Sequence, residues 1–173
     1  MNEKFKIIYS AGRVFSEDPR AKTLYDKSRF GEIIGGRVYY SFVESIYLAD
    51  KGKASIYFLN KKIPAEKFLE KMNKTEKNFL TKYYVYKDLR DRGYIVKTAL
   101  KFGADFRVYD KGKKPGEEHA KWIVFPVYET KSMTWYEFSA KVRVAHSTKK
   151  NLLIGVVDEE GDVSYYEVSW IRP

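Results

Sequence analysis

Three side chains suited to phosphodiester chemistry stand at the borders of predicted strands in the C-terminal half of this 173-residue chain. Tyr109 ends a predicted strand, His119 lies where a polar loop meets the next strand, and Lys150 immediately precedes another. A phenol, an imidazole and an ammonium group can move protons and neutralise a developing oxyanion. Because strand ends can share one edge of a sheet, these three side chains could meet there.

Cleavage of RNA is a reaction that such a set can perform without a metal. RNA carries its own nucleophile, the 2′-hydroxyl next to the scissile phosphate, so a protein must accept that proton, protonate the leaving 5′-oxygen and neutralise the phosphorane. A histidine can hold a proton near neutral pH, which fits His119 for the general acid. Lys150 supplies a compact positive charge that fits stabilisation of the transition state.

Each of these residues also has a purely structural interpretation. A tyrosine at a strand end usually packs, a histidine in a charged loop is usually exposed, and a lysine after a helix is favoured by the helix macrodipole. The chain also contains His146 and Lys149, which carry the same functional groups as His119 and Lys150. We expect His146, near a predicted helix end, to cap carbonyls or support the site.

Composition favours a folded protein with an anionic partner. The chain is 44% hydrophobic and carries a formal net charge of +10, which predicts attraction to nucleic acid, although a charged surface can also serve solubility or heat stability. It has no cysteine and two histidines, which excludes disulfides and argues against a zinc centre, and we expect no cofactor. No apolar run reaches the roughly 20 residues of a membrane span, and no signal peptide is recognisable, so we expect a cytoplasmic protein.

Residues 1–78 predict a small N-terminal domain of mixed α/β type. Ser41 and Glu44 form a capping-box pattern that predicts a helix from Phe42 to about Asp50, and Pro64 suits the first turn of another helix. The dipeptide Asp18-Pro19 indicates a turn. The predicted strands are Phe5–Ile8, Arg13–Phe15, Arg37–Tyr40 and Ala54–Leu59.

Residues 79–173 predict a second domain, a central mixed sheet flanked by helices. A helix that begins between Lys71 and Lys82 and stops at Gly93 should join the two domains. A second capping box at Thr134 opens a helix whose Trp135, Phe138 and Val142 are predicted to face the sheet. The predicted strands are Tyr94–Leu100, Asp105–Tyr109, Trp122–Phe125, Asn151–Val157 and Val163–Val168.

From about Lys82 to its C-terminus the chain resembles the catalytic domain of the archaeal tRNA-splicing endonucleases. Four segments match that family's blocks in order and spacing: Lys87–Lys97, Gly103–Arg107, Arg143–Ser147 and Val157–Asp162. The resemblance implies a restriction-endonuclease-like fold. It also implies a tRNA-intron lyase that cuts precursor tRNA at bulge-helix-bulge motifs, leaving a 2′,3′-cyclic phosphate and a 5′-hydroxyl.

The same resemblance implies roles for individual residues. Tyr109 would be the general base; a free phenol ionises near pH ~10, so cations such as Arg107 and Lys111 would have to favour its phenolate. Arg143 would stack on a base of the RNA bulge, with Trp170 and Arg172 as further RNA-binding residues.

An acidic turn formed by Asp158, Glu159, Glu160 and Asp162 matches a loop that in this family reaches into another subunit. The strand Val163–Val168 would pair with its counterpart across a two-fold axis. We therefore expect an obligate oligomer, either a homotetramer or a heterotetramer with a structural subunit.

Two other functions are open at this point. The first is a noncatalytic RNA-binding or structural subunit of the same assembly, which loss of the catalytic set would indicate. The second is a metal-dependent DNA nuclease, since restriction-like folds commonly use two carboxylates and a lysine around Mg²⁺. The carboxylates that could serve it are Asp105, Asp110, Glu117 and Glu118.

Overall fold

Each half of the chain is organised around its own mixed β-sheet. The computed structural model describes residues 4–173, apart from the side chain of Phe102. The chain divides into two units at Leu80/Thr81. Both units contain parallel and antiparallel strand pairs together with helices, so the predicted mixed α/β class is confirmed.

The N-terminal unit is a six-stranded sheet with helices. Its strands are β1 (Phe5–Ser10), β2 (Arg13–Ser16), β3 (Glu32–Ile34), β4 (Arg37–Tyr40), β5 (Ala54–Phe58) and β6 (Lys61–Ile63), and its helices are α1 (Pro19–Ser28), α2 (Phe42–Asp50) and α3 (Ala65–Thr75). The strand order is β3-β4-β2-β1-β5-β6, with β1 and β5 parallel. The predicted capping box of α2 is confirmed, because the Ser41 backbone N–H donates to Glu44 Oε2 (2.9 Å) and the Glu44 N–H donates to Ser41 Oγ (3.3 Å).

Helix α1 corrects the prediction of a simple turn at Asp18-Pro19. Asp18 is the N-cap, its carboxylate accepting the backbone N–H of Arg20 at 2.9 Å, and Pro19 is the first helical residue. Asp followed by Pro serves a helix start as well as a turn, because proline has no N–H to leave unsatisfied. The three-residue strands β3 and β6 were not predicted, since pieces this short carry no usable alternation.

The C-terminal unit is a five-stranded sheet with helices. Its strands are β7 (Ile95–Thr98), β8 (Phe106–Tyr109), β9 (Trp122–Tyr128), β10 (Asn151–Val157) and β11 (Val163–Val168), and its helices are α4 (Phe79–Asp91), which begins just before the unit boundary, and α5 (Trp135–Ser147). The strand order is β11-β10-β9-β8-β7, with β9 and β10 parallel. β10 and β11 have the predicted bounds. β7 is shorter than predicted, because Leu100 belongs to a 3₁₀ turn and is exposed.

The two helices cover opposite faces of this sheet. On the α4 face, the rings of Tyr86 and Phe106 pack with centroids 5.8 Å apart. Val85 packs against Gly155, where a Cβ atom on residue 155 would lie only 3.0 Å from the Val85 side chain. On the α5 face lies a buried apolar cluster. Its buried members are Ala99, Ala104, Ile123, Phe125, Val142, Ala145 and Leu152.

The predicted apolar face of α5 is only partly correct. Val142 is buried and Phe138 packs against the cluster, but the Trp135 side chain is 82% exposed. Its ring contacts Phe138 edge to face, with centroids 5.7 Å apart. The capping box that opens α5 is confirmed, because the Glu137 N–H donates to Thr134 Oγ1 (3.2 Å) and the Thr134 N–H donates to Glu137 Oε2 (2.8 Å).

Candidate active site and RNA-binding groove

The topology of the C-terminal sheet brings the ends of three segments together. β8 ends at Tyr109, and its antiparallel partner β9 begins at Trp122, so the loop that contains His119 connects them at one end of the sheet. β10 runs parallel to β9 and pairs Asn151 with Trp122, so Lys150 arrives at that same end. The end of β8, the loop that contains His119 and the start of β10 therefore lie at the same end of the sheet.

A cavity of about 380 Å³ lies at this end of the sheet, and the three predicted residues all line it. Tyr109, His119 and Lys150 share it with Arg107 and with the loop backbone around Gly116. Arg107 and Tyr109 are two residues apart on β8, so their side chains lie on the same face, and the pairing of Arg107 with Ile123 identifies it as the α5 face.

The end of α5 explains why Lys150, and not Lys149, lines the cavity. The Lys149 N–H donates to the His146 carbonyl (3.0 Å) and the Lys150 N–H to the Ala145 carbonyl (2.9 Å), which is the hydrogen-bond pattern of a Schellman motif. Lys149 takes the left-handed position, with a φ of 55°, and its side chain is exposed. Lys150 is half-buried, and its Nζ donates to the Thr148 carbonyl at 2.8 Å.

Burial and like charge perturb both Tyr109 and Lys150. Burial raises the pKa of the Tyr109 phenol, and the nearby Arg107 guanidinium lowers it by a smaller amount. Burial lowers the pKa of Lys150, and Arg107 lowers it further. The neighbouring cation expected to favour the phenolate is therefore present in Arg107, but desolvation outweighs it. Lys111, the other expected cation, lies over the ring of Tyr94, with its Nζ 5.2 Å from the centroid.

Three of the four carboxylates considered for a Mg²⁺ site pair with lysines, and the fourth, Glu117, lines the cavity. Asp105 Oδ1 lies 3.1 Å from Lys82 Nζ, and Asp110 Oδ2 lies 3.7 Å from Lys121 Nζ. Glu118 pairs with Lys113. Within residues 4–173, no group of three or more His, Asp or Glu side chains has the geometry to hold a metal ion.

A second concavity, which we call the groove, lies between α5 and the segment after β11. Its volume is about 590 Å³, and its lining includes Arg143, Val142, Trp170 and Ile171. Arg143 is exposed, and its Nε donates to the Ser139 carbonyl at 3.3 Å. The groove thus joins an apolar floor to an arginine and a half-exposed indole.

Two side chains, His146 and Arg172, lie against the Trp170 ring that lines the groove. Trp170 is 53% exposed; its ring lies 5.0 Å from the His146 ring, and the Arg172 Cζ lies 6.0 Å from its centroid. His146 was expected to cap carbonyls or to support the site; its backbone carbonyl accepts at the end of α5, and its side chain packs on Trp170. Of the two histidines, His119 is the one that lines the cavity.

The acidic turn is built by one of its own carboxylates. Asp158 Oδ1 accepts the backbone N–H groups of Glu160 (3.0 Å) and Asp162 (2.9 Å), which accounts for an aspartate at that position. Glu159, Glu160 and Asp162 are exposed, and no cation pairs with them in the part of the chain that the structure describes. Local structure therefore explains Asp158 but not the other three charges.

Two family models match the sequence of this chain. The family model for the tRNA intron endonuclease catalytic C-terminal domain matches residues 79–165, and the model for the N-terminal domain of the same enzymes matches residues 8–69. The chain belongs to the tRNA intron endonuclease family. It carries both domains, including the one described as catalytic, so the resemblance seen in the sequence and the enzyme class that it implied are confirmed.

Archaeal relatives align with most of the chain. The tRNA-splicing endonuclease of Thermococcus onnurineus is 42% identical over 173 residues, 99% of each chain. That of Pyrococcus furiosus is 39% identical over the same length and the same shares. That of Nanoarchaeum equitans is 45% identical over 154 residues, 83% of this chain and 99% of the relative.

The described residues, 4–173, also contain no helix long and apolar enough to cross a lipid bilayer.

Proposed function

We propose that this protein is an endoribonuclease that excises introns from precursor tRNA by cutting at bulge-helix-bulge motifs. The observation that carries the proposal is the cavity lined by Tyr109, His119 and Lys150 in a chain of this family. We place the reaction in the cytoplasm, where the chain would meet its precursor tRNA.

In this reaction the 2′-oxygen attacks the adjacent phosphorus, the bond from phosphorus to the 5′-oxygen breaks, and the products are a 2′,3′-cyclic phosphate and a 5′-hydroxyl. Tyr109 accepts the 2′-hydroxyl proton and His119 donates a proton to the 5′-oxygen. Lys150 neutralises the charge that builds on the phosphorane. Burial raises the pKa of Tyr109, so the phenolate that accepts the proton is a minor species at neutral pH, and the neighbouring Arg107 guanidinium is the charge that favours it.

The groove supplies a binding site for an unpaired base of the bulge. Arg143 offers a planar guanidinium and Trp170 an exposed indole, and both can stack on any base because every base has a π-face. Arg172, beside Trp170, adds positive charge for the RNA backbone. Binding here would hold the RNA while the scissile phosphate lies in the cavity.

The assembly is a tetramer, either of four identical chains or of two chains with two copies of a structural subunit. Two features support it: β11 is an edge strand, and the turn that precedes it presents Glu159, Glu160 and Asp162 without cation partners among the described residues. An edge strand that pairs with a second copy satisfies its free backbone groups, and an acidic turn fits a basic surface on another subunit.

The assembly is tested by reversing charge where the turn does not need it. The variant Glu159→Lys/Glu160→Lys keeps Asp158, whose carboxylate builds the turn. Light scattering should find a tetramer for the wild type and a smaller species for the variant, with RNA cleavage reduced in parallel. A wild-type monomer, or a variant with full mass and full activity, would show that the turn has no part in assembly.

The reaction is tested with purified protein, EDTA and a bulge-helix-bulge RNA. Cleavage should proceed in EDTA, yield a 2′,3′-cyclic phosphate, and stop when the scissile nucleotide is 2′-deoxy. Cleavage that requires Mg²⁺, or that survives the 2′-deoxy substitution, would exclude attack by the 2′-hydroxyl.

A further inference from the structure

Arg107 lines the cavity together with Tyr109, His119 and Lys150, and the acidic residues Glu117 and Glu118 line it as well. Arg107 occupies β8 two residues before Tyr109, on the same face of the strand, and it is only partly exposed. The alternation of β8 thus puts a guanidinium beside the phenol, at the position where the scissile phosphate has to lie in the proposed function.

Among the residues that the structure describes, the guanidinium of Arg107 has no anionic partner. Its Nε is buried and has no hydrogen-bond partner within residues 4–173, and no carboxylate of that range lies within ion-pair distance. Three lysines on neighbouring segments contrast with it, because Lys82, Lys113 and Lys121 each pair with a carboxylate. A buried donor and an unpaired charge both cost free energy until a ligand satisfies them.

Two cations repel each other across this cavity. The charge of Arg107 lowers the pKa of Lys150, in addition to the larger effect of burial. Glu117 and Glu118 also line the cavity, but Glu118 pairs with Lys113, and neither carboxylate pairs with Arg107 within residues 4–173. Two partly desolvated cations that face one space are stabilised by an anion between them, and a phosphodiester carries two non-bridging oxygens that can accept from both.

We propose that Arg107 is a catalytic residue that donates to one non-bridging oxygen of the scissile phosphate while Lys150 binds the other. The inference rests on the proposed function of this cavity. The phosphorane carries more negative charge on these oxygens than the ground-state diester, so both contacts strengthen as the reaction proceeds. Arginine suits the role because its Nε–H and Nη–H point in parallel and can grip an oxyanion together, which a lysine ammonium cannot do.

The test uses RNA with one sulfur at the scissile phosphate, in each of its two diastereomers. Sulfur accepts hydrogen bonds poorly, so each diastereomer weakens one of the two contacts. Single-turnover rates are measured at saturating RNA for the wild type, Arg107→Gln, Arg107→Lys and Lys150→Ala. Lys111→Gln is the matched control, since it removes a nearby cation whose side chain lies on Tyr94.

Arg107→Gln should lower the rate on normal RNA about 10²–10³-fold, as loss of one oxyanion donor does, while Lys111→Gln stays within about twofold. The penalty for sulfur at one oxygen should disappear in Arg107→Gln, and the penalty at the other should disappear in Lys150→Ala. Arg107→Lys keeps the charge but not the paired donors, so its rate should lie between those of Arg107→Gln and the wild type.

Two results would overturn the inference: an Arg107→Gln rate within about threefold of wild type, or sulfur penalties that are the same in Arg107→Gln and wild type. If Arg107→Gln is slow only because its structure is distorted, its sulfur penalties will match those of the wild type, which is the second result. If Arg107→Gln does not fold, the sulfur penalties are measured in Arg107→Lys. If Tyr109→Phe, His119→Ala and Lys150→Ala also keep wild-type rates, the proposed function of the cavity fails. If those three are slow and Arg107→Gln is not, only the role of Arg107 fails.

Discussion

The cavity and the groove both lie beside α5, but they hold their side chains in opposite ways. In the cavity, Tyr109 is 4% exposed and burial shifts its pKa and that of Lys150. In the groove, Arg143 is exposed and Trp170 is 53% exposed. Proton transfer and charge neutralisation need groups that are held and desolvated, whereas stacking needs flat surfaces that RNA can reach. The comparison predicts rate defects from the cavity and affinity defects from the groove.

The largest effect is expected from His119. Loss of a general acid typically costs about 10²–10⁴ in rate, so His119→Ala should fall by that amount in single-turnover cleavage. Its affinity for uncleavable 2′-deoxy RNA, measured by filter binding, should be unchanged. A His146→Ala variant that loses the rate while His119→Ala retains it would reverse the assignment of the two histidines.

Lys150 and Lys149 should differ sharply although they are adjacent. Lys150→Ala should lower the single-turnover rate about 10²–10³-fold, because it removes charge from the cavity. Lys149→Gly removes an exposed charge and relieves a left-handed backbone position, so its rate should be unchanged and its melting temperature no lower than wild type. Equal rate losses in the two variants would mean that the cavity does not distinguish them.

The groove should affect binding and leave chemistry intact. Trp170→Ala should weaken RNA binding by about 1–3 kcal/mol, the range for loss of a stacked base, and Arg143→Ala should weaken it in the same direction. Both should keep near-wild-type rates at saturating RNA. Tyr136→Ala is the matched control, because it removes an aromatic side chain on α5 that is 78% exposed and does not line the groove. A lower rate at saturating RNA in either groove variant would contradict the assignment of binding to the groove and of chemistry to the cavity.

The smallest effect concerns stability at alkaline pH. Burial raises the pKa of Tyr109, and burial with the Tyr165 O–H···Asp88 hydrogen bond (2.8 Å) raises that of Tyr165. A raised phenol pKa favours the folded state fully below about pH 10, the usual tyrosine value, and this contribution is lost as the pH rises from there through the raised pKa. Melting temperatures should therefore fall above about pH 10, and less steeply in Tyr109→Phe. If melting temperature falls with pH equally steeply in the wild type and in Tyr109→Phe, the pKa of Tyr109 is not raised in the folded protein.

The sequence carried much of the candidate site because its signals are local. Tyr109 and Lys150 stand directly at strand boundaries, and the capping boxes at Ser41 and Thr134 are four-residue patterns whose hydrogen bonds need no tertiary partner. Arg107 precedes Tyr109 by two residues, so the alternation of β8 predicts that the two side chains share a face. That this face lines a cavity with Lys150 depends on the pairing of β8 with β9 and of β9 with β10, which no local pattern specifies.

Other features depended on context that the sequence leaves open. Asp18-Pro19 suits a turn and a helix start equally, and the fold of the N-terminal unit selects the helix. Trp135 has the helical spacing of a core residue, but periodicity defines a helix face without fixing how far the sheet extends beneath it. Lys149 has a left-handed backbone conformation that glycine usually adopts, and a lysine in the sequence does not indicate such a conformation.

The claim that the cavity performs the proton transfers is tested most directly with RNA whose scissile 5′-oxygen is replaced by sulfur. A thiolate leaves without protonation, so a missing general acid should not matter for this substrate. His119→Ala should cleave the 5′-thio RNA nearly as fast as the wild type while remaining about 10²–10⁴-fold slower on normal RNA. If His119→Ala is equally slow on both substrates, His119 does not protonate the leaving group, and the cavity does not work as described.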